Sequence, residues 1–332
     1  MCTLHENMCV LRRDGLWCWG YSIGLPSPPE GNWFDRRHLE PYRVPLDATP
    51  SSVVLSDESG CLLADGEVHC WGRYFPGTKD SLHCRAGVAF DPAPVSLPEP
   101  ATQIATYDTS TCALLQSGRA TCWGPIPIGL WECGYHVLPT DAGCVRVPLV
   151  DAEGAPLEEL VELRGSTAID RNGRVWAWNF GRDRSAAFVA SPVDGLPPAQ
   201  DVVRHGEDVC VLSTEGQVVC RHALDRTLPP TPGPVEHLRT LTCSDDFCCG
   251  LTQGGELHCW GNESRAMPRA QWPSGRTGVS AVALLGPEVY WEEAGKLLHW
   301  VPNASGRPED VGFDVEEVPL PAVDEVPDSQ LQ

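Results

Sequence analysis

The stretch Cys61-Leu62-Leu63-Ala64-Asp65-Gly66-Glu67-Val68-His69-Cys70-Trp71-Gly72 decides the fold. An apolar run, a polar turn ending in glycine and an alternating run read as an antiparallel β-hairpin. The closing triplet returns as Cys18-Trp19-Gly20, Cys122-Trp123-Gly124 and Cys259-Trp260-Gly261, and the turn glycine as Gly15, Gly118, Gly173, Gly216, Gly255 and Gly295. With Gly66 these mark seven units, spaced by 51, 52, 55, 43, 39 and 40 residues. A further apolar stretch precedes each hairpin, such as Ser52-Val53-Val54-Leu55, Leu160-Val161-Glu162-Leu163 or Asp201-Val202-Val203. Units of three or four strands at this period cannot bury their own apolar faces and must stack on one another. Arranged radially, they give an all-β fold, a seven-bladed β-propeller of antiparallel blades that leaves only short sheet edges. Residues 2–320 are expected to form this single propeller, followed by an acidic, proline-bearing tail at 321–332. Because the first unit starts abruptly at Cys2, residues 315–320 are expected to complete blade one from the other terminus.

Composition narrows the function. The 332 residues carry 24 Lys plus Arg against 45 Asp plus Glu, a net charge of −21 that repels phosphate backbones, so no nucleic-acid partner is expected. No apolar stretch is long enough to cross a bilayer. Sixteen cysteines without a CxxC pair argue for disulfides and against a structural metal site, and disulfides belong to an oxidising compartment. The chain is therefore expected to be secreted or held in the cell envelope, although no signal peptide precedes the first unit. Five pairs bracket the hairpin turns: Cys9 with Cys18, Cys61 with Cys70, Cys112 with Cys122, Cys210 with Cys220 and Cys249 with Cys259. Their separations of 9 or 10 fit two turn lengths and place the partners opposite one another. The two units that lack the pair lose both members together; there Ala168 is expected to face Ala177, and Val289 to face His299. Cys133 with Cys144 would close a loop in the third unit, whereas the pairing of Cys2, Cys84, Cys243 and Cys248 stays open, with a tight Cys243–Cys248 loop one possibility.

Cys-x-Leu, a turn ending in glycine, and Cys-Trp-Gly, repeated in this way, resemble the regulator of chromosome condensation repeat family. The resemblance is to its cysteine-paired, extracytoplasmic bacterial type and covers about residues 2–305. It implies a seven-bladed propeller. The nucleotide exchange and chromatin binding of the founding nuclear members are not carried over, because those depend on basic surfaces that this acidic chain lacks.

No nucleophile elbow, HExxH, P-loop or histidine-flanked carboxylate pair is present, so neither enzymatic activity nor a cofactor is expected. His69 and His258 share a register but sit in non-adjacent units, and Asp170-Arg171-Asn172-Gly173 reads as a hairpin turn. Trp19, Trp71, Trp123, Trp178, Trp260 and Trp300 recur at one position per unit, as wedges between blades would. What remains is a monomeric, non-catalytic protein-interaction module; a lyase or glycosidase with an axial site is the alternative. From the triplet position to the next turn glycine the chain spends 47, 47 and 50 residues in units one to three, against 38, 34 and 35 in units four to six. These longer connections carry Trp33, Phe34, Tyr74, Phe75, Trp131 and Tyr135, aromatic residues of the type enriched at binding hot spots, and they are the expected partner-binding residues.

Overall fold

The computed structural model describes residues 2–4, 7–12, 15–20, 26, 38–46, 48–56, 59–72, 89–107, 110–124, 146–178, 188–223, 225, 227–244, 247–261, 273–285, 288–303 and 312–318. Seven antiparallel sheets follow one another along the chain. Blade one contains Cys2–Leu4 (β1), Asn7–Arg12 (β2), Gly15–Gly20 (β3) and His38–Arg43 (β4); blade two contains Ser52–Leu55 (β5), Ser59–Ala64 (β6), Glu67–Gly72 (β7) and Ala89–Val95 (β8). Blade three runs through Ala101–Tyr107 (β9), Ser110–Leu115 (β10), Ala120–Trp123 (β11) and Val147–Pro148 (β12), and blade four through Leu160–Arg164 (β13), Thr167–Asp170 (β14), Val175–Ala177 (β15) and Ser191–Pro192 (β16). Blade five has Ala199–His205 (β17), Asp208–Ser213 (β18), Val218–His222 (β19) and Thr231–Pro232 (β20), and blade six Leu238–Cys243 (β21), Phe247–Thr252 (β22) and Leu257–Gly261 (β23). Blade seven closes the series with Val279–Leu285 (β24), Glu288–Glu293 (β25), Lys296–Asn303 (β26) and Gly312–Glu317 (β27). The first strand of each blade adjoins the first strands of its neighbours, β1 meeting β24, so these strands form the inner wall.

Two turn types set the hairpins. In blades two and seven a two-residue turn has both central residues at positive φ, Asp65 and Gly66 at 50° and 81°, Ala294 and Gly295 at 52° and 77°. In blades three to six a longer turn ends on Gly118, Gly173, Gly216 or Gly255, each near +80°. The extra residue changes the separation from 9 to 10 without moving the cross-strand partners: Cys61 opposes Cys70, and Cys112 opposes Cys122. All five bracketing pairs are bonded, with Cα atoms 3.9 to 4.2 Å apart. A sixth bond joins Cys243 to Cys248 across β21 and β22. Cys84, Cys133 and Cys144 lie outside the described residues.

The register corrects two expectations. Ala168 opposes Trp176, and it is Thr167 that faces Ala177, because blade four has the longer turn. In blade seven the shorter turn puts Tyr290 opposite His299 and Val289 opposite Trp300. The positions corresponding to the disulfide are thus Thr167/Ala177 and Tyr290/His299. The latter rings stack in its place, 4.0 Å between centroids and 8° between planes.

The ring also closes differently from the expectation for residues 315–320. Gly312–Glu317 pairs with Lys296–Asn303 as the fourth strand of blade seven, while blade one obtains its four strands from residues 2–43. Cys2–Leu4 already occupies the inner place of blade one, so no vacancy is left there for the C-terminal strand. Closure comes from side-chain packing of Met8 against Tyr290 and Leu297, with Trp19 and Val318 alongside. The tail at 321–332 lies outside the described residues.

Neighbouring blades are joined through the turn glycines. The carbonyls of Gly66, Gly118, Gly173, Gly216 and Gly255 accept from the amides of Ala101, Leu160, Ala199, Leu238 and Val279, at 2.8 to 3.2 Å. The close approach leaves no room for a side chain: a Cβ on Gly216 would lie 3.0 Å from His237 Cα, whereas one on Gly295 would meet nothing within 4 Å. Gly295→Ala is therefore expected to lose about 1 kcal/mol for its left-handed backbone alone, and Gly216→Ala about 2–3 kcal/mol because the joint to blade six is also strained. Urea denaturation of both variants measures the difference, and equal losses would remove the glycine joint from the account.

Candidate functional site

The inner strands bring polar side chains together that the sequence leaves scattered. Ser52, Gln103, Glu162, Asp201, Thr240 and Ala281 occupy one register, each opposite the residue two beyond the hairpin-cysteine position. In blades three to seven the strand bulges there, which re-aims the side chain. Gln103 Oε1 accepts from the Leu163 amide of the next blade at 2.7 Å. Asp201 Oδ1 accepts from its neighbour's amide, Val202 N, at 2.8 Å and from Arg164 Nη1 at 3.2 Å. Arg164 also donates to Leu241 O in blade six at 3.4 Å. Ser52 Oγ and Thr240 Oγ1 are buried with no partner among the described residues. Above this level Arg204 lies 4.1 Å over the Tyr107 ring of blade three and donates to Ser166 Oγ of blade four at 3.1 Å.

Glu162 meets Asp201 across the seam between blades four and five. Burial, then the Asp201 charge and hydrogen bond, push the Glu162 carboxyl up to about 7 against the pull of Arg164. Within the fold the protonated Glu162 carboxyl beside Asp201 is thus favoured well above the ordinary carboxylate range. A retaining glycosidase needs its carboxyl groups roughly 5–5.5 Å apart and an inverting one about 6.5–9.5 Å, wider than a hydrogen-bonded pair allows. The arrangement is a proton-dependent tie between blades.

The apolar core of this seam is aliphatic among the described residues. It consists of Ile169, Val175, Ala177, Val193, Ala199, Val202, Val209 and Val211 and holds no aromatic ring, since Arg221 stands where other blades have the triplet tryptophan. The sequence signal for the tie was a charged residue inside each of two apolar stretches, Glu162 and Asp201. Neither stretch shows from sequence that a bulge aligns them.

The remaining candidates are dispersed. His69 and His258 are half-buried strand residues beside Glu67 and Glu256, at 3.7 and 3.3 Å. Asp170 caps its own turn, Oδ1 accepting from the amides of Asn172 and Arg174 and Oδ2 from Trp176 Nε1. At the blade seven–one seam, Glu288 accepts from Tyr290 Oη at 3.0 Å and lies 3.1 Å from His299 Nε2. Burial alone would raise the Glu288 carboxyl, but the bonds to His299 and Tyr290 outweigh it and hold the group below its ordinary range. His205, Cys243 and Cys248 converge to within 4.8 Å, although the two sulfurs are spent in a disulfide and offer no thiolate to a metal.

Trp33, Phe34, Tyr74, Phe75, Trp131 and Tyr135 lie outside the described residues. The strands that flank them are described. The chain between Gly20 and His38, between Gly72 and Ala89, and between Trp123 and Val147 joins the third strand of a blade to its fourth. Because the glycine turns join second to third strands, all three connections leave from the opposite face of the ring.

Comparison with known proteins supports the architecture. The Regulator of chromosome condensation (RCC1) repeat matches residues 239–265, the hairpin region of blade six. Human WBSCR16 is similar over 92% of this chain and 95% of its own, with 17% identity and a TM-score of 0.65. The CRINKLY WD40 ectodomain of the Arabidopsis thaliana receptor kinase ACR4 is similar over 90% and 93%, with 16% identity and a TM-score of 0.55. Prp20p from Saccharomyces cerevisiae, described with its binding to Gsp1p and histones, is similar over 77% and 70%, with 14% identity and a TM-score of 0.55. No curated protein matches the sequence. The fold is a seven-bladed propeller like theirs and carries an RCC1 repeat.

Folded-state elevation of the Glu162 pKa gives stability that is complete below the ordinary glutamate value of 4.5 and is lost as pH rises through about 7. Thermal unfolding should therefore show a lower midpoint at about pH 8 than at about pH 5. General repulsion in an acidic chain acts in the same direction, so the informative readout is Glu162→Gln, which should flatten the decline. A variant that follows the parent at every pH would rule out the raised Glu162 pKa.

Proposed function

We propose that this chain is a non-catalytic protein-binding module of an extracytoplasmic protein, secreted or envelope-associated, in which a stapled ring presents variable loops to a protein partner. The observation that carries this reading is that, in three consecutive blades, the described strands flanking a long, aromatic-bearing connection end on the same face of the ring. Such loops on a rigid scaffold would form a presentation surface.

Six disulfides among the described residues favour an oxidising setting, and a similar fold serves as the ectodomain of a plant receptor kinase. Prp20p, another similar fold, is described as binding proteins. The charge of −21 points to a partner that is not nucleic acid. Among the described residues the carboxyl pair open to the lyase or glycosidase alternative is Glu162–Asp201, whose hydrogen bonding and engagement by Arg164 suit a structural tie better.

Trp33→Ala, Phe75→Ala and Trp131→Ala, combined in one protein, should lower capture of extracellular partner by at least about tenfold, since each buried aromatic anchor is worth about 2 kcal/mol or more. Circular dichroism and the thermal midpoint should stay near those of the parent. Unchanged capture by the folded triple variant would place the site elsewhere on the ring.

A further inference from the structure

The sixth disulfide differs in kind from the other five. Those join the second and third strands of a blade at one register, whereas Cys243–Cys248 joins the first strand of blade six to its second. It closes the shortest loop, a separation of 5 against 9 or 10, so a closed-loop constraint contributes least to its persistence. Cys243 is half-buried at the strand end while Cys248 is buried, so Cys243 is the more exposed residue of the pair. A histidine also stands beside it. A ring nitrogen of His205, from the end of the inner strand of blade five, lies within 4.8 Å of both sulfurs. His205 Nδ1 donates to the carbonyl of Ser244, the residue after Cys243, which leaves Nε2 as the basic nitrogen of the neutral ring. Across its own hairpin His205 opposes Asp208; Asp245 and Asp246 lie outside the described residues.

We propose that Cys243–Cys248 together with His205 is a thiol–disulfide exchange site that accepts two electrons from a dithiol. The donor's first sulfur gives its proton to His205 and bonds to Cys243 Sγ. The Cys243–Cys248 bond breaks with its electron pair on Cys248, and His205 returns the proton to that sulfur. The donor's second thiol then attacks the mixed disulfide, expels Cys243 and passes it the second proton. The donor leaves as its own disulfide, and the protein keeps two thiols.

The exchange stays local. Successive strand residues point to opposite faces, and Cys248 packs in the seam with blade five while Cys249 packs in the seam with blade seven. The freed Cys248 sulfur therefore does not face the Cys249–Cys259 bond.

The test treats the native protein with reduced dithiothreitol for timed intervals and follows each cysteine pair by differential alkylation and mass spectrometry. Cys243 and Cys248 should become reactive at least about tenfold faster than Cys112 and Cys122. His205→Gln should slow that reaction about tenfold and flatten its pH dependence while leaving the Cys112–Cys122 rate unchanged. Reduction of Cys243–Cys248 together with or after the hairpin bonds overturns the proposal, as does a folded His205→Gln protein that reacts at the parental rate. If His205→Gln fails to fold, the double variant Cys243→Ser with Cys248→Ser decides: loss of the rapid phase of dithiothreitol oxidation supports the site, and its persistence overturns it.

Discussion

Adjacent residues on a β-strand point to opposite faces, and the Cys-Trp dipeptide turns that rule into a ring. The cysteine of each stapled hairpin faces the next blade and the tryptophan faces the previous one. Each seam can therefore pack the disulfide of one blade with the tryptophan of its successor: Cys9–Cys18 with Trp71, Cys61–Cys70 with Trp123, Cys112–Cys122 with Trp178, Cys210–Cys220 with Trp260, Cys249–Cys259 with Trp300. Seven apolar cores result among the described residues, one per seam. A large aromatic core residue is worth about 3–5 kcal/mol by truncation to alanine, more than any surface ion pair in the molecule contributes. Packing between blades thus dominates over the pairing within them as the term that makes seven hairpins one domain.

Two seams depart from the rule, and both replace apolar matter with titratable groups. At blades seven and one the stacked Tyr290 and His299 fill the disulfide position and Trp19 remains. At blades four and five neither member is present, and the carboxyl pair of Glu162 and Asp201 with Arg164 spans the gap. Removing two charges from water is costly unless they are neutralised or paired, and here the fold favours a proton on Glu162 while Asp201 pairs with Arg164. Both seams therefore carry a carboxyl whose titration the fold shifts, Glu162 upward and Glu288 downward.

The repeat was legible because its glycine is required twice, by a left-handed backbone and by contact with the next blade. No other residue satisfies both, so the spacing of Gly66 through Gly255 recurs in the sequence as plainly as in space. The cysteine pairs were legible for a similar reason, since only directly opposed positions can be bridged. Register in the two unstapled hairpins was not legible. Their turns differ by one residue, and without cysteines to mark the opposed pair, Ala168 and Val289 were each placed one residue from the true position. The axial polar ring was hidden because a bulge, which the alternation of residues does not announce, decides which side chain turns inward.

The division of labour between the two faces follows from the same geometry. The glycine turns of blades two to six dock on the following blade, so the face that carries them is committed to holding the ring together and leaves little room for bulk at those glycines. First-to-second turns and third-to-fourth connections leave from strand ends on the other face, away from those glycine joints. Length can be added there without disturbing a seam, and it is there that blades one to three are enlarged. Among the described disulfides, the one that does not staple a second-to-third hairpin, Cys243–Cys248, lies on that face as well. Sulfur chemistry can change at that bond while Cys210–Cys220 and Cys249–Cys259 continue to support the seams on either side of blade six.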